Sequence, residues 1–198
     1  MDLFKNVGIP ILFKDDLEVI LYHPEFYSLE KSNNLFDKIN KQTSWKRDKI
    51  KMYGNYFPVP RDTAWYGEKS YTYSNIYNAP SPWTETLKII KEDVEVKCSS
   101  KFNSLLLNRY QTGNDKVDWH SDDEPELDKN SLIASLSLGS DRDFLIREKG
   151  TSGNNIKQTL QNGSLLIMNP PTQELWEHSI PKRKNAGTRI NLTFRNVI

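Results

Sequence analysis

Two histidines and an aspartate in the second half of the chain have the residue types of a metal site. His120 and Asp122 are separated by one residue, and His178 lies far from them in the sequence. Residues i and i+2 of an extended segment point to the same side, so His120 and Asp122 can reach one ion from a strand or loop. Two histidines and one carboxylate are typical of non-haem Fe(II) sites that keep open positions. A short His-x-Asp sequence also occurs in ordinary surface loops, so the pattern alone leaves both interpretations open.

The last part of the chain has an alternating pattern that could present an anion-binding face. In residues 188–195 one side carries Arg189, Asn191, Thr193 and Arg195, and the other side carries Ile190, Leu192 and Phe194. This alternation predicts a strand whose polar side faces either solvent or the mouth of a barrel. At a barrel mouth, the arginines could bind the carboxylates of a small diacid. Asn108 and Tyr110 share a face of segment 104–110 and would add neutral hydrogen-bonding groups.

The composition is that of one globular domain in a reducing compartment. The chain has 198 residues, of which 27% are charged and 36% are hydrophobic, as is typical of a single domain. Its only cysteine, Cys98, excludes an internal disulfide. We therefore expect one domain over residues 1–198, a monomer, in an intracellular reducing compartment (cytoplasm or nucleus). No secretory signal or membrane span is expected, because no suitable apolar run is present.

The spacing of apolar residues predicts two early helices and a set of later strands. One helix is expected over residues 29–43, with an apolar side that includes Leu29 and Ile39. A second helix is expected to begin with Ser81 as N-cap and Pro82 as its first residue. Strands are expected at 104–110, 132–138, 143–147, 164–168 and 188–195. This order predicts an α+β fold that is mainly β, and a jelly roll of two facing sheets is the expected closed arrangement.

Residues 52–78 form an aromatic segment. Its rings are Tyr53, Tyr56, Phe57, Trp65, Tyr66, Tyr71, Tyr73 and Tyr77. The segment is compatible with an irregular layer over the core, or with a lid whose rings stack on flat ligands such as bases. The net charge of +1 adds no independent indication of nucleic-acid binding, and the basic clusters at 46–51 and 182–184 are compatible with ordinary solvated surfaces.

Several segments in a fixed order resemble one enzyme family. They are Asn108–Tyr110, Trp119–Glu124, Ile133–Gly139, Gly163–Met168, His178 and Arg189–Arg195. Together they resemble the AlkB family of Fe(II)- and 2-oxoglutarate-dependent dioxygenases, over residues 52–196. The resemblance implies a double-stranded β-helix, which is a jelly-roll fold. Its catalytic β-core would span residues 104–196, and residues 1–50 would support it.

The resemblance also implies a role for each residue of the site. His120, Asp122 and His178 would be the catalytic iron ligands, with 2-oxoglutarate and O2 as co-substrates. The residues expected to bind 2-oxoglutarate are Asn108, Tyr110, Arg189, Thr193 and Arg195. Arg189 would pair with the distal carboxylate of 2-oxoglutarate, and Arg195 would lie near the end that chelates iron.

Within the family, the resemblance is to the nucleic-acid repair demethylases, and it implies that residues 52–78 are a nucleotide-recognition lid. The expected substrate-binding residues are Tyr53, Arg61, Tyr71, Tyr73, Asp123 and Glu124. Tyr73 would stack on a flipped base, with Tyr71 and Glu124 near its polar edge, because chemistry on a base requires it to leave the stack. Residues 52–55 resemble the finger of members that act on duplex DNA. Residues 118–125 resemble members that prefer single strands, so strand preference stays open.

The reaction expected from these residues is oxidative N-demethylation. Hydroxylation of the methyl group of 1-methyladenine or 3-methylcytosine in alkylated DNA would release formaldehyde, with succinate and CO2 formed from 2-oxoglutarate. An RNA or protein substrate for the same chemistry is one alternative. A non-catalytic nucleic-acid-binding β-barrel is another, and a zinc hydrolase using the same three ligands is a third.

Overall fold

The structure, a computed structural model, describes residues 8–47, 49–52, 55–73, 76–153 and 155–198, with backbone only at 50–52, 56–57, 71–73 and 76–78. Its helices are α1 (Leu29–Gln42), α2 (Glu85–Cys98) and α3 (Thr172–Leu175). Its strands are β1 (Ile9–Lys14), β2 (Leu17–His23), β3 (Lys49–Met52), β4 (Asn55–Pro58), β5 (Asp62–Gly67), β6 (Tyr71–Tyr73), β7 (Ile76–Asn78), β8 (Ser104–Tyr110), β9 (Val117–His120), β10 (Ile133–Gly139), β11 (Arg142–Glu148), β12 (Ile156–Leu160), β13 (Leu165–Met168), β14 (Trp176–Ile180) and β15 (Arg189–Arg195).

Two antiparallel sheets form the body of the fold. The larger sheet has the strand order β1-β2-β13-β10-β15-β8-β5, and the smaller sheet has the order β12-β11-β14-β9. One apolar cluster joins the two sheets, because it contains Tyr110 and Leu166 from the larger and Phe144 and Ile180 from the smaller. The predicted α+β, mainly β jelly roll is therefore confirmed. Sheets with this arrangement bury their facing sides and leave open ends where a site can form.

The helices cover the other side of the larger sheet. Leu87, Ile90 and Val94 of α2 share an apolar cluster with residues of β8, β10 and β15. The central strands are consequently covered on both faces, and all seven residues of β15 are buried. Continuous burial of this kind is expected for a sheet covered on both sides.

Helix α1 was predicted almost correctly, and one residue of its predicted apolar side is exposed. Ser28 caps its first turn by accepting a hydrogen bond from the Lys31 amide at 3.3 Å. Ile39 is buried as predicted, whereas Leu29 is 68% exposed. The prediction for Leu29, the first residue of the helix, was wrong because periodicity alone does not report which residues of an end turn the rest of the fold covers.

The predicted start of the second helix was also wrong. Helix α2 begins at Glu85, with Thr84 as its N-cap. The Ser81 backbone instead pairs with β5: its amide donates to Trp65 O at 3.0 Å, and its carbonyl accepts from Gly67 N at 3.1 Å. A Ser-Pro pair can cap a helix, but here the sheet takes its backbone groups.

The aromatic segment 52–78 is divided between the core and two hairpins. Strand β5 is an edge strand of the larger sheet, and Trp65 and Tyr66 on it are buried at 3% and 5% exposure. These two rings therefore belong to the core and not to a lid. The flanking pairs β3–β4 and β6–β7 form separate two-stranded sheets. In the described part of the chain, no helix is long and apolar enough to cross a membrane.

The close packing around Gly139 predicts that a side chain at this position would destabilise the fold. It has a φ of +87°, and a Cβ there would lie 2.5 Å from Thr188 O and 2.6 Å from the Phe36 ring. Gly150 has a φ of +75°, but nothing lies within 4 Å of its built Cβ. We expect Gly139→Ala to lower the free energy of unfolding by about 2–4 kcal/mol and Gly150→Ala by about 1 kcal/mol. Urea unfolding measures both, and equal losses would contradict the crowding at Gly139.

Candidate active site

The three predicted metal ligands lie together at one end of the smaller sheet. His178 on β14 is the register partner of His120 on β9, and their ring centroids are 4.3 Å apart. Asp122 follows two residues after His120, and the ligand atoms of all three residues lie within 4.8 Å of one another. Neighbouring antiparallel strands bring paired side chains this close without strain. The structure therefore brings the sequence-predicted ligands to one point.

Hydrogen bonds hold the ligand residues in place. The His120 Nδ1 atom lies 2.8 Å from Asp118 O, so Nδ1–H is the donor, and Nε2 lies 3.8 Å from Asp122 Oδ1. The Asp122 amide donates to the Gln173 side-chain oxygen at 3.0 Å, and the Ser121 hydroxyl donates to Trp176 O at 2.9 Å. Such contacts fix the ring and loop orientation of a metal site. The sequence reasoning did not identify Gln173, and its position in a short helix gave no signal.

The electrostatics of the cluster suit a cation. Burial lowers the pKa of His178 to about 3, and the neighbouring His120 adds to this effect, so His178 is neutral at physiological pH. Burial alone would raise the pKa of Asp122, but Arg195 and the two histidines outweigh it and the pKa lies below its usual value. Arg195 Nη2 lies 2.7 Å from Asp122 Oδ1. A neutral His178 and an ionised Asp122 beside the His120 ring suit a divalent cation.

The polar face of β15 lies inside the fold and not in solvent. Arg189, Asn191, Thr193 and Arg195 are 1%, 7%, 5% and 3% exposed. They line one cavity together with Asn108, Tyr110 and the three metal ligands. The interpretation of this face as a solvated surface is therefore excluded, and the barrel-mouth interpretation holds.

The register explains why these side chains share the cavity. Tyr110 and Asn108 of β8 lie opposite Arg189 and Asn191 of β15. On the other side of β15, strand β10 places Ser137 opposite Asn191 and Ser135 opposite Thr193. The two serines were missed by the sequence reasoning. The alternation of serine with alanine and leucine along β10 was the signal that could have identified them.

Arg189 is a buried cation with unused donors. Its Nη2 donates to Ser137 Oγ at 2.8 Å, but its buried Nε and Nη1 have no hydrogen-bond partner in the described part of the protein. Burial lowers its pKa to about 10, which the positive charge of Arg142 reinforces, so it remains protonated at neutral pH. A buried charge with unsatisfied donors is costly. An anionic ligand such as a carboxylate would satisfy it.

The predicted substrate residues are placed less uniformly. Arg61 is buried, donates from Nε to Asn108 Oδ1 at 2.7 Å and lines the same cavity. Glu124 lines an adjoining cavity of about 670 Å³ that also reaches Asp122. Asp123 lies at the surface, 2.8 Å from Lys149 Nζ.

Tyr53 lies outside the described residues. The backbones of Tyr71 and Tyr73 lie on β6, but their side chains are outside the described part.

The sequence matches a known family along nearly its whole length. The family profile described as "2OG-Fe(II) oxygenase superfamily" matches residues 19–195. The chain belongs to this superfamily. Family membership confirms the predicted Fe(II) cofactor and the predicted co-substrates 2-oxoglutarate and O2. The buried His–Asp–His cluster and the unused donors of Arg189 fit these groups.

Named relatives within the superfamily confirm the resemblance to the AlkB family. The chain is 41% identical over 189 residues to the "alpha-ketoglutarate-dependent dioxygenase alkB homolog 3" of Bos taurus. The alignment covers 88% of this chain and 64% of that protein. It is 40% identical over 160 residues to the "DNA oxidative demethylase ALKBH2" of Mus musculus, which covers 76% of this chain and 67% of that protein. The chain thus spans just under two thirds of the length of its alkB homolog 3 relative.

A solved structure shares the fold of this oxygenase. The structure described as OsALKBH1 superposes with a TM-score of 0.65 over 90% of this chain and 96% of that one, at 18% sequence identity. This similarity concerns the fold alone.

The metal ligands can be tested without any assay of activity. We expect His178→Ala and Asp122→Asn each to weaken Mn²⁺ binding by more than about 100-fold, because either change removes one of three protein ligands. Isothermal titration calorimetry measures the affinity. His23→Asn is the matched control, since His23 is buried in β2 outside the cluster. Metal affinity that survives in His178→Ala would remove His178 from the site.

Proposed function

We propose that this chain is the catalytic domain of an oxidative demethylase that acts on N-alkylated bases in DNA. The lesions are 1-methyladenine and 3-methylcytosine. His120, Asp122 and His178 would hold Fe(II), which would supply the activation of O2 as 2-oxoglutarate is converted to succinate and CO2. One oxygen atom enters a C–H bond of the N-methyl group. The C–N bond of the resulting N-hydroxymethyl base then breaks, which gives formaldehyde and the unmodified base.

This proposal rests on one observation: the same cavity contains a cluster of metal-ligand residues and a buried arginine that could bind a carboxylate. The His120–Asp122–His178 cluster lies beside Arg195, and Arg189 lies at the other end of the same strand with unused donors. A diacid that binds metal at one end requires a cation at its other end. A zinc hydrolase would leave Arg189 without a role, and a non-catalytic barrel would leave the ligand cluster without one.

The protein's own groups would bind and orient the reactants. Arg189 and the Tyr110 hydroxyl would hold the distal carboxylate of 2-oxoglutarate, and Asn108 would contact the same molecule from the next strand. This placement fixes the co-substrate before reaction, which is the main contribution of a protein scaffold to cofactor chemistry. Asp122 keeps its negative charge through its contact with Arg195.

The choice of a DNA base as substrate rests on the relatives' names and on the segment around β5. The mouse relative is named as a DNA oxidative demethylase. Two hairpins flank β5 in the sequence, and Arg61 lies just before that strand with a contact to Asn108. Glu124 lines a cavity next to Asp122, where a carboxylate could accept a hydrogen bond from the exocyclic amino group of adenine or cytosine. We further propose that the protein acts as a monomer in the cytoplasm or nucleus.

The activity is tested with methylated oligonucleotides. The full chain is incubated with Fe(II), 2-oxoglutarate, O2 and single-stranded DNA, duplex DNA or RNA that carries one 1-methyladenine. We expect formaldehyde and repaired base in equal amounts with DNA, and no product when Fe(II), 2-oxoglutarate or O2 is omitted. Mass spectrometry of the oligonucleotide measures repair. Product from RNA alone would replace DNA as the substrate, and product without O2 would end the oxygenase proposal.

Arg189→Ala should separate co-substrate binding from chemistry. Loss of charge-assisted hydrogen bonds worth about 1.5–3 kcal/mol should raise the KM for 2-oxoglutarate by about 10- to 150-fold, with a smaller rise in Arg189→Lys. Arg147→Ala is the control, because Arg147 contacts Glu177 and Trp119 outside this cavity. A KM that stays at the wild-type value in Arg189→Ala would show that another group binds the distal carboxylate.

A further inference from the structure

A second buried arginine lies at the same end of the cavity as Arg189. Arg142, the first residue of β11, is 0% exposed. Its guanidinium carbon is 5.1 Å from the centre of the Tyr110 ring, and that of Arg189 is 5.2 Å from the same ring. The guanidinium groups of Arg142 and Arg189 therefore both lie near the ring of Tyr110, which is a proposed 2-oxoglutarate ligand. No feature of the sequence distinguished Arg142 from a surface arginine.

Arg142 is bound to the backbone of two loops. Its Nη2 donates to Asp115 O at 2.6 Å and to Pro181 O at 2.7 Å, and its Nη1 lies 3.4 Å from Thr112 O. These carbonyls belong to the loop that follows β8 and to the loop that precedes β15. Arg142 thus links the two segments from which Tyr110 and Arg189 extend.

The loops are also in direct contact with each other. The Arg183 amide donates to Gly113 O at 2.9 Å. The loop after β8 is further fixed by the Asp115 carboxylate, which accepts the Gln111 and Thr112 amides at 2.7 Å and 3.1 Å. Because Tyr110 is the last residue of β8, the position of its ring depends on how this loop is held.

Stability alone gives a poor reason for a charge at this position. A buried ion is expensive, and well-packed apolar residues often replace buried charges without loss of stability. Backbone carbonyls satisfy part of the guanidinium, but its Nε has no hydrogen-bond partner in the described part of the protein. A role in the neighbouring site accounts for the charge and for the contact with Tyr110.

We propose that Arg142 is a positioning residue of the co-substrate site, which holds Tyr110 and the two loops so that the phenol and Arg189 face the distal carboxylate of 2-oxoglutarate. This inference rests on the proposed function, because it assumes that 2-oxoglutarate binds here. Arg142 acts through Tyr110 and the loops, and it also adds positive charge near a dianionic ligand.

The proposal is tested by binding in the absence of turnover. Isothermal titration calorimetry without O2 measures the affinity of the Mn²⁺-loaded full chain for 2-oxoglutarate, and for pyruvate, which lacks the distal carboxylate. The variants are Arg142→Lys, Arg142→Met, Tyr110→Phe and the Arg142→Lys/Tyr110→Phe double variant. Arg147→Lys is the matched control, since Arg147 lies on the same strand and its guanidinium contacts Trp119 instead.

We expect Arg142→Lys to weaken 2-oxoglutarate binding by about tenfold, which corresponds to about 1.4 kcal/mol. Pyruvate binding and the Arg147→Lys control should not change. The effects of Arg142→Lys and Tyr110→Phe should be less than additive, because residues that act through one another show coupling in a double-mutant cycle. A purely structural role for Arg142 would weaken both ligands alike and would give additive effects.

Other results would overturn the proposal. Unchanged 2-oxoglutarate affinity in folded Arg142→Lys refutes the role of Arg142 and leaves the proposed function intact, whereas a wild-type chain that does not bind 2-oxoglutarate refutes both. If the Arg142 variants do not fold, hydrogen exchange on the wild-type chain decides. Binding of 2-oxoglutarate, but not of pyruvate, should then slow exchange of the amides at 111–116, since coupling between site and loop is reciprocal. Unchanged exchange would refute the proposal.

Discussion

The ion pair between Asp122 and Arg195 joins the two halves of the site. Asp122 belongs to the loop after β9 of the smaller sheet, and Arg195 ends β15 of the larger one. Their side chains are 2% and 4% exposed, and their charged atoms are 2.7 Å apart. Removal of either partner would leave an uncompensated buried charge, which typically costs about 3–5 kcal/mol. This contact therefore holds the His–Asp–His cluster and the polar face of β15 at a fixed separation, as a metal site and a co-substrate site that share one cavity would require.

The burial of this polar set depends on the two-sheet arrangement. Helices cover one side of the larger sheet mainly through an apolar cluster, whereas the polar residues of β15 lie on the side that lines the cavity. Polar residues there supply each other's partners: Asn191 of β15 donates to Ser135 Oγ of β10, and Thr193 donates to Asn191 Oδ1 on its own strand. Buried polar groups are tolerated when they satisfy one another. Two buried donors of Arg189, Nε and Nη1, have no hydrogen-bond partner among the described residues, and an anion at that end of the cavity would satisfy them.

The local features of this structure could be predicted from the sequence. Alternation of polar and apolar residues predicted β8 and β15, because period-two patterns report directly on strands. The i, i+2 spacing of His120 and Asp122 likewise predicted a shared direction. The pairing of His178 with His120 was not visible in this way, since it depends on the register between β9 and β14. Ser137 and Arg142 were not predicted to be buried, because a polar residue in a strand usually faces solvent. Their burial follows from the way the two sheets face each other, which local sequence patterns do not report.

The aromatic segment shows a further limit of local reasoning. Aromatic residues recur through the segment, but Trp65 and Tyr66 on β5 are buried in the core, while β3–β4 and β6–β7 pair as separate two-stranded sheets. Arg61, directly before that core strand, then reaches Asn108 in the cavity. In the proposed function, this one hydrogen bond would join base recognition at Arg61 to 2-oxoglutarate binding at Asn108, and a movement of the segment before β5 would change the environment of Asn108. The edge strand β5 and the segment before it would therefore connect the region where a base would be recognised to the residues proposed to hold 2-oxoglutarate.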